Sequence, residues 1–261
     1  MKRISFDTTK FSMWGFSPYI IMALIGCAFA IILYLLLQMK RNVPVKNSLS
    51  VIIVSFLGSL IGAKLLGSTV NLINSIINGI KITIGTVINS GIVYYGGLLG
   101  FLFFFRLVTK LILKKNMSEY KDILAVIIPL FHFFGRIGCF LAGCCYGKET
   151  DCWLSITYIN KVNNTLMIAN RIPIQLIEAG FNLMIFSCML ILFKKNICQR
   201  KLLYIYLICY GDVRFFVEFY RGDEYRGIYG ALSISQYISL GVIIGGIAGI
   251  VTQNETNERK R

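Results

Sequence analysis

A single arginine lies inside an apolar stretch near the middle of the chain, where residues 132–147 read HFFGRIGCFLAGCCYG. Moving the charged Arg136 into a bilayer costs about 3 kcal/mol on insertion scales, so its guanidinium must have a partner. The guanidinium is planar and always charged, and its paired N–H donors match phosphate or carboxylate. Helices or a ligand can approach the backbone closely at the glycines of this stretch, Gly135, Gly138, Gly143 and Gly147. The stretch therefore predicts an anion site inside a membrane.

A second group of charged side chains interrupts another apolar segment. Arg214, Glu218 and Arg221 follow one another at intervals of four and three residues, which places them on one face of a helix. With Arg136 reaching the same cavity, two or three guanidiniums and one carboxylate leave a net positive charge that suits a lipid phosphate. The alternatives are a structural ion pair between Arg214 and Glu218, or a self-contained charge network without a ligand.

The composition is that of a membrane protein. Of the 261 residues, 56% are hydrophobic, and apolar runs of about 20 residues, long enough to cross a bilayer, recur along the chain. The formal net charge is +15, but most lysines and arginines cluster in short segments between these runs. This distribution sets membrane orientation and excludes nucleic acid as a partner. The proposed cytoplasmic segments hold more of these cations, which predicts an outside N-terminus and a cytoplasmic C-terminus.

The apolar runs predict an all-α polytopic fold of about seven transmembrane helices. Residues 1–251 would form a single integral membrane domain, and residues 252–261 a polar cytoplasmic tail. We expect residues 67–90 to form an outer loop at the membrane interface, and residues 146–173 to form an extracytoplasmic loop at headgroup level. The predicted helices cover residues 19–39, 50–66, 91–113, 123–145, 174–193, 202–219 and 232–251.

Four motifs, in this order along the chain, resemble those of prolipoprotein diacylglyceryl transferases. Residues 95–100, Tyr-Gly-Gly-Leu-Leu-Gly, resemble the family's His-Gly-Gly-Leu-x-Gly, and Gly-Arg-Ile-Gly at 135–138, closing on Gly147, resembles its signature. Residues 173–178 resemble its Pro-x-Gln-Leu-Tyr-Glu. Residues 210–221 resemble its Tyr-Gly-x-x-Arg-Phe-x-x-Glu-Phe-x-Arg, followed by Ser233 and Gln236.

The resemblance implies a transferase that moves the diacylglyceryl group of phosphatidylglycerol to the lipobox cysteine of a preprolipoprotein, the first step of lipoprotein maturation. The expected partners are phosphatidylglycerol, the lipobox peptide and the membrane, and the expected reaction needs no cofactor and no metal. The enzyme would lie in the bacterial inner membrane with its active site toward the extracytoplasmic side. The alternatives are a divergent member with another acceptor, or a non-catalytic protein that binds or transports anionic lipid.

The resemblance also implies roles for individual residues. Arg136 and Arg214 would bind the phosphate and stabilise the charge on the departing oxygen, and Glu218 would orient Arg214. Together with Tyr95 these three form the expected catalytic set. The expected substrate-binding residues are Gly96, Gly97, Gly135, Gly138, Cys139, Cys144, Gly147, Tyr210 and Arg221.

Three positions depart from the family pattern. Tyr95 stands where the family has His, Cys139 where it has Asn, and Cys144 where it has Glu. A tyrosine with a pKa near 10 is a poor base at neutral pH. The substitute base is then either His132, the only histidine, or Cys144 as a thiolate beside Arg136. The alternative for both is a packing role.

The adjacent pair Cys144 and Cys145 lacks the C-x-x-C spacing that is usual for metal sites. We therefore favour small side chains that pack in a tight turn over a metal site. A disulfide between Cys145 and Cys152, facing an oxidising exterior, is a further alternative.

Overall fold

The computed structural model describes residues 4–8, 17–40, 45–77, 79, 81–85, 93–113, 118–162, 165–222 and 228–258. The long helices in these ranges are α1 (Pro18–Lys40), α2 (Val45–Ile77), α3 (Tyr94–Val108), α4 (Ser118–Leu141), α5 (Ile174–Lys194), α6 (Leu202–Val217) and α7 (Ile234–Glu258). Helix α3 continues into a π-helical turn, Thr109–Leu113, and α6 into a 3-10 turn, Glu218–Tyr220. The strands are β1 (Ser5–Asp7), β2 (Ile156–Val162), β3 (Thr165–Arg171), β4 (Ile228–Tyr229) and β5 (Leu232–Ser233).

Within the described ranges, five helical segments are long and apolar enough to cross a membrane. Since the aliphatic side chains of these segments are exposed in large numbers, as expected for surfaces that face lipid, the chain is a multi-pass membrane protein. The candidate spans are Pro18–Lys40, Ser50–Ile77, Tyr120–Leu141, Ile174–Lys194 and Ile234–Asn254.

The structure corrects two of the predicted loops. Helix α2 continues to Ile77, so the predicted outer loop at 67–90 is wrong for its first part, and residues 78, 80 and 86–90 lie outside the described ranges. The hydroxyl of Thr69 donates to the carbonyl of Leu65 one turn earlier, which lets a polar residue remain helical. The predicted loop at 146–173 contains strands β2 and β3.

Helix α7 runs seven residues beyond the predicted end at 251, up to Glu258, and residues 259–261 are not described.

The described chain divides into two compact units. The first consists of Met1–Leu37, Ser118–Arg226 and Leu232–Arg261, and the second of Gln38–Met117 and Gly227–Ala231. In the first unit α5 packs between α4 and α6, and α7 packs on α6. Strand β2 pairs in parallel with β1 and in antiparallel register with β3. The Phe6 ring of β1 lies 4.3 Å from the Phe140 ring at the end of α4, so the sheet rests on this helix end.

In the second unit, α2 and α3 meet through glycines on both helices. A Cβ at Gly62 would collide with the carbonyl oxygen of Gly96, and a Cβ at Gly100 with that of Gly58. Helices in lipid use such small residues to bring their backbones close together.

We predict that Gly62→Ala lowers the thermal unfolding temperature of the detergent-solubilised protein. The added methyl group meets backbone atoms that cannot rotate away, and overpacking of this kind costs about 1–3 kcal/mol. Gly180→Ala in α5 is the matched control, because its Cβ would meet no atom within 4 Å and alanine favours the helix. Equal unfolding temperatures for the two variants would contradict the close packing of α2 on α3.

Candidate active site

The site is built on a polar face of the otherwise apolar helix α5. Gln175, Glu178 and Asn182 are spaced by three and four residues, so they lie on one side of the helix. They are 0%, 2% and 1% exposed, which means that this side faces the interior of the first unit. Polar groups buried this deeply in a membrane protein need partners from neighbouring helices.

Glu178 forms ion pairs with two arginines from different helices. The Nε of Arg136 on α4 contacts one carboxylate oxygen of Glu178, and the Nη1 of Arg214 on α6 lies 2.6 Å from the other. The Nη2 of Arg214 also lies 2.7 Å from the Oε2 of Glu218, four residues later. All four side chains are buried. The structure thus brings Arg136, Arg214 and Glu218 together, and adds a carboxylate that the sequence-based site set did not contain.

The charge of this cluster differs from the expectation of one carboxylate. Arg136 and Arg214 are balanced by Glu178 and Glu218, and only the addition of Arg221, a third buried arginine, leaves one net positive charge. The motif at 173–178 contains Glu178, but the motif alone does not show that this carboxylate pairs with two arginines.

His132 lies one helical turn before Arg136 and supports it. The Nε of Arg136 donates to the Nε2 of His132 at 3.2 Å, so this nitrogen of the ring carries no proton. The His132 ring lies 5.1 Å from the ring of Tyr210 in a T-shaped arrangement, and both side chains are buried. These contacts favour the packing role of His132 over the role of a base, because the arginine already occupies its acceptor nitrogen.

Gly147 lies between two extended segments of the chain. Its N–H donates to the carbonyl of Ile172 at 2.9 Å, and it faces Arg221 in an antiparallel bridge. A Cβ at this position would lie 2.7 Å from the Ile172 carbonyl oxygen, so only glycine fits. The prediction that Arg221 continues the helical face of Arg214 is wrong, because the 3-10 turn ends at Tyr220 and Arg221 is extended, with φ −72° and ψ 144°.

The chain folds back on itself directly after α4. The N–H of Cys144 donates to the carbonyl of Cys139 at 3.1 Å, and Gly143 and Cys145 both have positive φ, 66° and 56°. The sulfur atoms of Cys139, Cys144 and Cys145 consequently lie within 4.8 Å of one another. Cys145 and Cys152 are both free, so the disulfide between them is not formed.

The cysteine cluster does not favour Cys144 as a thiolate. Hydrogen bonds with the Cys139 and Cys145 thiols raise the pKa of Cys144, whereas hydrogen bonds from Cys139 and Cys144 lower the pKa of Cys145, assisted by the charges of Arg221 and Arg136. These contacts do not favour the hypothesis that Cys144, beside Arg136, is the base, and that role stays a prediction. Within the cluster, the negative charge is most stable on Cys145.

Two side chains that the sequence-based site set missed hold this turn in place. The side-chain amide of Gln175 donates to the carbonyl of Cys144 at 2.6 Å, and the Tyr158 hydroxyl of β2 donates to the Oε1 of Gln175 at 3.0 Å. Gln175 was visible only as part of the motif at 173–178. No sequence signal distinguished Tyr158, because its partner Gln175 is 17 positions away and becomes a neighbour only in the folded chain.

The remaining predicted site residues have local packing roles. Tyr95, Gly96 and Gly97 lie in the second unit. Tyr95 is buried, Gly96 packs on Gly62, and a Cβ at Gly97 would meet the Ser59 hydroxyl at 3.2 Å.

Two glycines of α4 differ in their surroundings. A Cβ at Gly138 would lie 3.2 Å from the Cα of Tyr19, so this glycine brings α1 close to α4. A Cβ at Gly135 would meet no atom within 4 Å, so the surface of α4 is open at this residue. Their roles in substrate binding stay predictions.

Comparison with known proteins identifies a family and several relatives. The family model described as prolipoprotein diacylglyceryl transferase matches residues 9–252. A phosphatidylglycerol–prolipoprotein diacylglyceryl transferase of Clostridium tetani is 33% identical over 249 residues, which cover 95% of this chain and 96% of that protein. The second such transferase of Clostridium perfringens is 38% identical over 160 residues, 60% of each chain. A Helicobacter pylori relative with the same name is 37% identical over 175 residues, 65% of this chain and 61% of its own.

We predict that Glu178→Gln destabilises the protein by about 3–5 kcal/mol, because it keeps the shape of the side chain and leaves two buried guanidiniums without their shared counter-charge. Chemical denaturation in detergent measures this change. The matched control is Glu149→Gln, which breaks an ion pair with Arg171 on the surface, where the Glu149 side chain is 63% exposed. That variant should change stability by about 1 kcal/mol or less. A Glu178→Gln variant as stable as the control would contradict the central role of this carboxylate.

Proposed function

Because the chain belongs to the prolipoprotein diacylglyceryl transferase family, we propose that it transfers the diacylglyceryl group of phosphatidylglycerol to the lipobox cysteine of a prolipoprotein. One structural observation supports the proposed chemistry. Two buried arginines from different helices, Arg136 and Arg214, converge on the single carboxylate of Glu178. Two guanidiniums held at a fixed separation form a receptor for a phosphate that carries a growing negative charge.

The reaction forms a bond between the acceptor sulfur and the terminal carbon of the diacylglyceryl group. The bond between that carbon and the phosphate oxygen breaks, its electron pair stays on the oxygen, and glycerol phosphate leaves. The thiol proton is released to solvent or to the departing phosphate. Arg136 and Arg214 would stabilise the charge that develops on this oxygen, and Glu178 and Glu218 would hold the two guanidiniums in position. Since the nucleophile belongs to the acceptor, the transferase supplies none.

Arg221 and Tyr210 complete the proposed phosphate site. Arg221 gives the cluster its one net positive charge, and the Tyr210 ring packs on His132, which in turn accepts from Arg136. Gly135 keeps its proposed role in substrate binding beside Arg136 in the sequence. Tyr95, Gly96, Gly97, Gly138 and Gly147 keep their proposed roles in lining or shaping the active site.

The proposed membrane arrangement has seven spanning helices, with α3 and α6 crossing together with the turns that extend them. An odd number of spans puts the termini on opposite sides, and the distribution of lysine and arginine favours a cytoplasmic C-terminus. The active-site charges come from the C-terminal part of α4, the first turns of α5 and the C-terminal part of α6. In this orientation all three helix ends face the extracytoplasmic side of the inner membrane. Residues 1–251 then form the membrane domain, and 252–261 a cytoplasmic tail.

We predict that Arg136→Lys lowers transfer by about 10²–10³-fold, because lysine keeps the charge and loses the planar pair of donors. The assay uses purified protein in detergent, phosphatidylglycerol labelled in its diacylglyceryl group, and a lipobox peptide. The matched control is Arg200→Lys, an arginine that is exposed to solvent after α5 and should tolerate the exchange without effect.

The lipobox peptide also distinguishes the proposed reaction from the two alternatives, a lipid-binding protein and a transferase with another acceptor. Label that reaches a peptide with cysteine, and not its serine counterpart, supports the proposed reaction. Bound lipid without transfer to any peptide would contradict it in favour of a lipid-binding protein. Transfer to another thiol or amine in preference to the lipobox cysteine would instead identify a divergent acceptor.

A further inference from the structure

The three thiols at the C-terminal end of α4 are not used by the phosphate site and form a cluster of their own. Cys139 is buried in the last turn of α4, Cys145 is half-buried, and Cys144 is exposed. Their sulfur atoms lie within 4.8 Å of one another. No fourth cysteine, histidine or acidic side chain joins them among the residues that the structure describes.

The backbone imposes this convergence. Cys145 has a φ of 56°, a left-handed conformation that non-glycine residues rarely adopt and that is kept only where the surrounding structure requires it. Gly143, at φ 66°, provides the preceding reversal of the chain. The side-chain amide of Gln175 then fixes the Cys144 carbonyl from α5, and Tyr158 fixes Gln175. The adjacent cysteines, whose spacing argued against a metal site, thus have sulfur atoms that lie within 4.8 Å of each other and of Cys139.

The donor set fits one kind of metal centre. Thiolate sulfur binds Zn²⁺ at about 2.3 Å, which places two sulfur ligands of a tetrahedral site about 3.8 Å apart. None of the three sulfur–sulfur separations exceeds this distance by more than about 1 Å, because all of them lie within 4.8 Å. Three protein ligands leave the fourth tetrahedral position open, as in catalytic zinc sites, whereas structural sites close it with a fourth protein ligand.

We propose that Cys139, Cys144 and Cys145 bind one Zn²⁺, whose fourth position takes the thiol of the acceptor cysteine. This inference rests on the proposed function, because the acceptor thiol is the substrate of that reaction. The three protein thiols release their protons to solvent when the metal binds. The acceptor thiol releases its proton in the same way, and the zinc-bound sulfur becomes the nucleophile at neutral pH.

The position of the cluster matches this role. Cys139 and Cys145 lie within electrostatic range of Arg136, and Cys145 also lies within range of Arg221. A sulfur held at the open zinc position is therefore close to the phosphate site, where the carbon–oxygen bond must break. Cys139 and Cys144 are also two of the positions at which this chain departs from the family pattern. A bound zinc would supply the thiol activation at this place.

Metal content tests the site without any turnover. The purified full-length protein is equilibrated with Zn²⁺ and dialysed, and bound zinc is measured by elemental analysis for the wild type, Cys144→Ser, and the control Cys188→Ser. Cys188 is an exposed cysteine of α5 outside the cluster. We expect one zinc per chain in the wild type and the control, and zinc affinity lowered by more than about 100-fold in Cys144→Ser, since losing a ligand exceeds the cost of losing a supporting residue. Equal zinc content in all three proteins, or none in the wild type, would overturn the site.

A second measurement tests the open position on the unmodified protein. Co²⁺ replaces Zn²⁺, and the sulfur-to-cobalt absorption is recorded while a lipobox peptide is added. We expect this absorption to rise by about a third with the cysteine peptide, as a fourth thiolate joins three, and to stay unchanged with the serine peptide. An unchanged spectrum with both peptides would overturn coordination of the acceptor thiol.

The outcomes separate this inference from the proposed function. If the cobalt spectrum responds to the cysteine peptide and labelled lipid is never transferred, the metal site stands and the proposed function fails. If transfer proceeds at the same rate after a chelator has removed all zinc, the proposed function stands and zinc activation of the thiol is overturned.

Discussion

The carboxylate of Glu178 is the group on which the first unit of this protein depends. It is almost fully buried in α5, and its two oxygens engage Arg136 of α4 and Arg214 of α6. Each guanidinium would be too costly to bury alone, and each is tolerated because the same carboxylate compensates both. One residue thereby fixes the relative positions of three helices. It also fixes the separation of the two cations that would receive a phosphate, so that stability and chemistry rest on the same contact.

Helix α5 presents two further polar side chains on the same face, and they extend this arrangement to either side. Gln175, one turn before Glu178, holds the Cys144 carbonyl and with it the turn that follows α4. Asn182, one turn after, lies beside His132, whose ring accepts from Arg136. The phosphate site and the thiol cluster are therefore positioned by one helix face. A change in the tilt of α5 would displace both together.

Much of the charged site could be predicted from the sequence, because its residues form distinctive local patterns. An arginine in an apolar run and the spacing of Arg214 and Glu218 identified charged groups that the fold brings together. What the sequence could not show depends on contacts between distant segments or on single backbone angles. The parallel pairing of β1 with β2 joins residues that are about 150 positions apart, such as Ser5 and Thr157. The meeting of the three cysteine sulfurs depends on the positive φ of Cys145, which residue type alone does not predict.

The most direct test of the account asks whether both arginines touch the lipid phosphate. Solid-state nuclear magnetic resonance on protein with ¹⁵N-labelled arginine, reconstituted in phosphatidylglycerol, measures the dipolar coupling between guanidinium nitrogen and lipid ³¹P. We expect couplings that correspond to direct hydrogen-bonded contact, and loss of one set of them in Arg136→Gln and of another in Arg214→Gln. Wild-type protein in which neither Arg136 nor Arg214 couples to phosphorus would show that the two guanidiniums serve only Glu178 and Glu218, and would contradict the phosphate site.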